Sequence, residues 1–257
     1  MRIAVITGAS SGMGKETAVQ LACRYGKYLD ELWLIARRKE PMEELKGKIP
    51  ASLRIFPMDI TDRIQLEGLK MALEKERPKV LFLVNAAGFG KIGDVGSLPL
   101  EDEGGMIQLN CQAPCTVTHL VLPYLGKNSR IIQFASAAAF LPQPRFAVYA
   151  ATKAFVLSYS QALNAELKSK QICVTAVCPG PVNTEFFQIA ETTGQIPEYK
   201  RLVMADPEKV VKKALYDSAA GKPLSIYGIW MKLFFAGASV IPHSWILNLW
   251  GRNHKKK

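Results

Sequence analysis

A chain of 257 residues is long enough to bury one sizeable α/β core. With 49% hydrophobic and 21% charged residues it is no disordered chain. Its net charge of +11 would suit nucleic acid, an anionic membrane or an anionic cofactor; without a zinc-finger, homeodomain or RNA-recognition pattern, a nucleic-acid partner is not expected.

Met1-Arg2 runs straight into Ile3–Thr7, which reads as a buried strand and not as the apolar segment of a signal peptide. Five cysteines without a paired spacing suit a reducing cytosol, so a cytoplasmic location is expected, with membrane association open. The strand ends in Thr7-Gly8-Ala9-Ser10-Ser11-Gly12-Met13-Gly14, and a helical pattern follows to Tyr25. Glycines let the backbone turn sharply and approach a pyrophosphate, and a helix N-terminus offers unpaired N–H groups to negative charge. The spacing is GxxxGxG and not GxGxxG, so a merely tight connection is the competing reading.

Glu31–Ala36 is the second strand, and it runs into Arg37-Arg38-Lys39. An acid here would accept a bond from a free ribose 2′-hydroxyl. None is present, and Arg37 and Arg38 suit a 2′-phosphate instead. NADP(H) is expected over NAD(H), against a solvated basic turn as the alternative.

Helical patterns over Glu40–Lys48 and Thr61–Glu76 enclose a strand at Leu53–Met58, and Val80–Val84 is the fourth strand. A helix over Asp102–Leu125, a strand at Arg130–Ala135, a helix over Tyr149–Lys170 and a strand at Ile172–Cys178 follow. Leu224–Tyr227 makes a seventh strand. Short apolar strands, each followed by a helix, imply a parallel sheet covered on both faces. The expected fold is a single doubly wound α/β domain over residues 1–228 with a C-terminal apolar helical extension over 229–257.

Cys23, Cys111, Cys115, Cys173 and Cys178 show no CxxC or metal-ligand spacing. Cys111 and Cys115 would share a helix face, which leaves a redox pair open beside the reading as small buried thiols. His119 and His243 have no metal or triad spacing either, and no metal site is expected.

Tyr149 and Lys153 stand at i and i+4, on one helix face. A free tyrosine titrates near 10, and a nearby ammonium lowers that value toward a usable acid/base. Ser136 follows the fifth strand at the sheet edge where ligands bind in such folds. A Tyr–Lys pair alone is commonly an incidental surface pair.

Together these pieces resemble the short-chain dehydrogenase/reductase family, in family order, from Arg2 to about Tyr227. The loop from Gly8 to Gly14, with Ser10, Ser11, Gly12 and Met13, is similar to its cofactor loop. Asp59-Ile60 resembles its adenine-contacting acid, and Asn85-Ala86-Ala87-Gly88 its NNAG turn with Ala86 for an inner Asn. Pro179-Gly180-Pro181-Val182-Asn183-Thr184 resembles its nicotinamide-side PGxVxT loop. The resemblance implies a Rossmann fold, an oligomer (dimer or tetramer) and an Asn110–Ser136–Tyr149–Lys153 tetrad. In that tetrad Tyr149 exchanges the proton, Lys153 lowers its pKa and binds ribose, Ser136 polarises the carbonyl and Asn110 holds a water. One departure is Ser11, where NADP-preferring members often carry a basic residue; coenzyme preference then rests on Arg37 and its neighbours.

Phe89, Ala138, Phe140, Leu141, Phe186 and Phe187 suit an apolar ketone, aldehyde or alcohol, while Arg145 meets either an anionic group or solvent. A hydroxysteroid and a 3-oxoacyl thioester both fit, and a regulator that binds NADPH without turnover is the alternative from another class. The segment Leu233–Gly251 carries no charged residue and precedes Arg252–Lys257. It reads as a subunit-contact or pocket-closing arm, as a peripheral membrane anchor, or as a span.

Overall fold

Strand β1 (Arg2–Thr7) divides the molecule in two. Ile3 and Val5 point into one apolar core and Ala4 and Ile6 into another, and all four are fully buried. This is the period-two alternation of a strand covered on both faces. In the computed structural model, which describes residues 1–194, 204–245 and 247–248, β1 is central in an all-parallel seven-stranded sheet. The strand order is β3-β2-β1-β4-β5-β6-β7, with β2 at Glu31–Ala36, β3 at Leu53–Pro57 and β4 at Lys79–Asn85. Strand β5 is Leu125–Phe134, β6 Cys173–Val177 and β7 Leu224–Ser225. The doubly wound Rossmann fold expected from the strand pattern is thus the observed one.

On one face lie α1 (Gly12–Tyr25), α2 (Glu40–Glu43) and a helix at Pro207–Ala219, here α8. On the other lie α3 (Arg63–Glu76), α5 (Ala113–Val121) and α6 (Ala147–Glu166). Helix α4 spans Leu100–Ile107, α7 spans Glu185–Ala190, and α9, at Ile229–Val240, follows β7. Asp62 starts α3 by accepting from the Ile64 and Gln65 N–H groups. Asp206 caps α8 with Pro207 in its first turn, a start signal that is present in the sequence but was not read as a helix there.

Several boundaries depart from expectation. The helix expected over Glu40–Lys48 ends at Glu43 and continues as turns, with Gly47 at φ +75°. The helix expected over Asp102–Leu125 is interrupted by a π turn at Gln108–Gln112. Pro114 has no N–H for the Asn110 carbonyl at helical spacing, and its ring crowds that oxygen, so the chain widens there. Strand β5 also begins at Leu125, earlier than expected. Trp250 and the basic run Arg252–Lys257 lie outside the described residues.

Because every strand is parallel, all the carboxyl ends open on one edge. The order reverses between β1 and β4, and a crevice forms beyond that switch point.

Candidate active site

A cleft of about 1040 Å³ runs along this edge, from the end of β2 across β1 and β4 to α6, α7 and α9. Its floor at the β1 end is Gly8 to Gly14. A methyl group at Gly14 would stand 2.2 Å from the Gly8 carbonyl oxygen, and one at Gly8, where φ is +66°, 2.7 Å from the Ala87 nitrogen. Neither position admits a side chain. Thr7 joins the two loops: its hydroxyl accepts from the Ala86 and Ala87 N–H groups at 3.2 and 3.3 Å. Ser11 precedes α1 in extended conformation, with no side-chain cap and no acid in the first turn. The helix N-terminus therefore faces the cleft without an internal anion.

These features fit a dinucleotide. Glycines clear the backbone for close approach, and the uncapped N-terminus of α1 is a ready anion site. Ala36, Arg37, Arg38, Asp59 and Ile60 line the cleft beyond the ends of β2 and β3. Arg37 has no ion-pair partner among the described residues, whereas Arg38 is held by Glu185 at 2.7 Å, across from α7. Asp59 accepts from the Thr61 N–H and hydroxyl at 2.9 and 2.7 Å, which fixes its carboxylate in its own turn. The Pro179–Thr184 loop lies over the start of α1, with Thr184 3.4 Å from where a Gly12 Cβ would be. Pro179, Gly180, Val182 and Thr184 all line the cleft.

The tetrad residues expected from sequence converge, with Ser136, Tyr149 and Lys153 in the cleft wall and Asn110 just behind it. Ser136 follows β5 and accepts from the Ala138 N–H at 3.1 Å. Its side chain shares the cleft wall with the Tyr149 phenol. Tyr149 is buried between Phe146, stacked at 4.3 Å, and Phe186 at 5.3 Å. Asn110 sits in the π turn and holds the Phe89 backbone from both sides: Oδ1 accepts from its N–H at 3.1 Å, and Nδ2 donates to its carbonyl at 2.9 Å. Nδ2 also donates at 3.0 Å to Thr152 Oγ1, which in turn donates to the Tyr149 carbonyl at 2.7 Å. The Asn110 side chain therefore ties the β4 loop to α6. Gly88 must be glycine for this to happen, because its Cβ would lie 2.9 Å from Asn110 Oδ1 and 3.3 Å from Lys153 Nζ.

Lys153 donates to the Phe134 carbonyl at 2.8 Å and stands 5.7 Å from the centre of the Tyr149 ring. Burial brings its pKa down to about 8. Tyr149 departs from expectation. Burial raises its phenol well above the ordinary value, and the Ser136 side chain opposes this only in part. Lys153 is not among the influences that lower it in the protein alone.

Of the apolar residues expected around the substrate, Phe89, Ala138, Leu141, Phe186 and Phe187 line the cleft. Phe140 lies behind them, 4.8 Å from Phe235 of α9. Arg145 is exposed, with φ +63°, and is absent from the cleft wall. Gln108, Gln143, Met231 and Phe234 were not anticipated there and are part of it. All five cysteines are free, and only Cys178 is fully buried. Burial raises Cys111 to about 11 and Cys115 above its usual value, which favours inert thiols over a redox pair. No metal-ligand cluster occurs among the described residues.

The model of the short chain dehydrogenase family matches residues 2–194. The chain is 32% identical to the very-long-chain 3-oxoacyl-CoA reductase of Anas platyrhynchos, over 98% of this chain and 80% of that protein. It is 33% identical to very-long-chain 3-oxoacyl-CoA reductase-B of Danio rerio, over 79% of this chain and 66% of that one. Among solved structures, a short-chain dehydrogenase from Sphingobium yanoikuyae in complex with NADPH superposes with a TM-score of 0.77 at 27% identity, over 94% of this chain and 97% of that one. With three quarters of its length matched and the cleft built on the same edge of the same sheet, this chain belongs to the short-chain dehydrogenase family.

Proposed function

We propose that the protein is an NADP(H)-dependent reductase that turns a ketone on a long apolar chain into a secondary alcohol. The observation that carries this reading is the continuity of one cleft. It joins an acid-free Arg37 at one end to the hydroxyls of Ser136 and Tyr149 beside an aromatic wall at the other. Within that reading the 3-oxoacyl thioester class is favoured over a hydroxysteroid, because both vertebrate relatives above are named for that reaction.

When bound, the nicotinamide supplies a hydride to the carbonyl carbon. Ser136 orients and polarises the carbonyl oxygen, and Tyr149 donates its proton to that oxygen as negative charge develops there. A phenolate is costly in so buried a place, so the proton is replaced at once from the Lys153 ammonium. With its pKa near 8, Lys153 is able to give that proton up close to neutral pH. Lys153 takes its proton back from solvent water, and the Asn110 carbonyl, whose ordinary helical partner would be the N–H that Pro114 lacks, is an acceptor that would hold such a water. Phe146 and Phe186 pack against the Tyr149 ring and help to keep water from it.

The test is NADPH consumption with a panel of ketones and 3-oxoacyl thioesters of increasing chain length. Tyr149→Phe should cost at least about 100-fold in kcat. Full turnover by that variant would overturn the mechanism, and tight NADPH binding without turnover of any ketone would overturn the enzymatic reading.

A further inference from the structure

Helix α9 is apolar on both of its sides, unlike an ordinary surface helix. Ala238 is buried, Met231 packs on Gly180 and Phe235 on Phe140. The opposite side, facing water, is also apolar. At about 100° per residue, Ile229, Val240, Leu233, Trp230 and Phe234 fall within one arc, and each is exposed: Trp230 by 74%, Leu233 by 57%, Val240 by 82%. Ile241 and Trp245 extend the patch past the helix end. Contiguous exposed apolar surface of this kind marks an interaction site.

We infer that this outer face of α9 docks on an anionic lipid bilayer. Charge selects the occupant. No Asp or Glu occurs after Asp217, while Lys222, Lys232, Arg252, Lys255, Lys256 and Lys257 all do. An apolar face with tryptophans combined with a basic run supplies the two signals that stable interfacial binding requires. A second copy of the chain is the poorer fit. A two-fold contact through α9 would bring Lys232 toward its own copy, with no acid in the segment to offset it. The geometry is that of lying on a membrane, not of crossing it: no helix among the described residues is long and apolar enough to span.

The same helix walls the cleft. Met231 and Phe234 line it, and Phe234 also belongs to the exposed arc. Docking through α9 therefore sets the apolar end of the cleft against the lipid phase, so that a long-chain substrate enters without crossing water. This second step rests on the proposed ketone reduction; the docking step does not.

Flotation with vesicles tests the docking without any turnover. The full chain should bind phosphatidylcholine vesicles containing phosphatidylglycerol at least about tenfold more tightly than phosphatidylcholine alone. Trp230→Ser with Leu233→Ser should lose about tenfold of that binding while keeping the wild-type melting temperature. Replacing Lys255, Lys256 and Lys257 by Gln should remove the preference for anionic lipid. Tryptophan emission should shift to the blue on binding, and the shift should shrink in Trp230→Ser. Absence of binding to either vesicle would overturn the proposal. So would a dimer that the Trp230→Ser, Leu233→Ser pair converts to monomer with no change in vesicle binding, since a second copy would then be the occupant. Loss of NADPH turnover with vesicle binding intact would count against the reductase reading alone.

Discussion

Lys153 Nζ reaches the Phe134 carbonyl oxygen at 2.8 Å, at the end of β5, so the ammonium is anchored to the strand that delivers Ser136. Burial disfavours the charged form more strongly than Cys111 and Cys178 favour it, and leaves the pKa at about 8. The rate of ketone reduction should be flat below pH 8 and fall above it, as Lys153 loses the proton that refills Tyr149. The residual rate of Lys153→Met should lack this inflection, as read from a kcat profile between pH 6 and 10 under saturating NADPH.

The same shift carries a stability consequence of definite sign. A lysine whose folded pKa lies below its unfolded value binds fewer protons when folded between about 8 and 10.5, so stability rises with pH across that window. Below it, the buried charge costs stability in full. Lys153→Met is expected to raise stability at pH 7 by ~1–3 kcal/mol, an advantage that fades toward pH 10.5. Denaturant unfolding at the two pH values measures it, and equal differences at both would show that the ammonium is not desolvated.

Arg37 and Arg38 are neighbours in different surroundings. Arg37 lines the cleft with no acid on it among the described residues, while Arg38 is held by Glu185. Arg37→Ala should weaken NADPH by about 10- to 100-fold and NADH by much less. Glu185→Gln should tighten NADPH by releasing Arg38, with little effect on folding because the pair is half-exposed. Fluorescence titration of both coenzymes reads both variants, and equal losses for NADPH and NADH in Arg37→Ala would remove the coenzyme assignment.

How much of this was readable in the chain follows from the range of the forces involved. The strand–glycine–helix start is set by local backbone geometry, and it stands where the spacing puts it. The alternation of strands and helices was legible for the same reason. The meeting of Ser136, Tyr149 and Lys153 was legible through short spacings on one strand end and one helix. What stayed hidden depends on distant partners. Arg38 and Glu185 are 147 positions apart, and nothing local announces their pairing. Tyr149 was expected to have a lowered pKa from its i+4 lysine, but the desolvation that raises it comes from Phe146, Phe186 and the surrounding fold. The break of the helix at Asn110 did carry a local signal, Pro114, whose effect on the carbonyl four residues earlier is elementary.

Gly14 and Gly47 separate a glycine required for close approach from one that only turns the chain. A Gly14 Cβ meets backbone at 2.2 Å, whereas Gly47, at φ +75°, has nothing within 4 Å. Gly14→Ala should destabilise by about 3 kcal/mol or more and abolish coenzyme binding. Gly47→Ala should cost only the left-handed backbone term, about 1–2 kcal/mol, with coenzyme binding unchanged. Thermal melts with and without NADPH give both answers, and a Gly14→Ala protein still stabilised by NADPH would contradict the tight loop.

Met231 brings the C-terminal helix to the cleft: its sulfur stands 2.6 Å from where a Gly180 Cβ would be, and its side chain lines the wall, so it is expected to select substrate. Met231→Ala opens the apolar wall without touching Tyr149 or the Gly8–Gly14 floor. The ratio of kcat/KM for a bulky ketone over a small one should rise by about tenfold, the usual worth of one or two methylenes in an apolar pocket. Affinity for NADPH should change by less than about threefold, because the pyrophosphate floor lies at the other end of the cleft. A parallel fall for both ketones would mean that Met231 supports the Gly180 loop and does not select substrate.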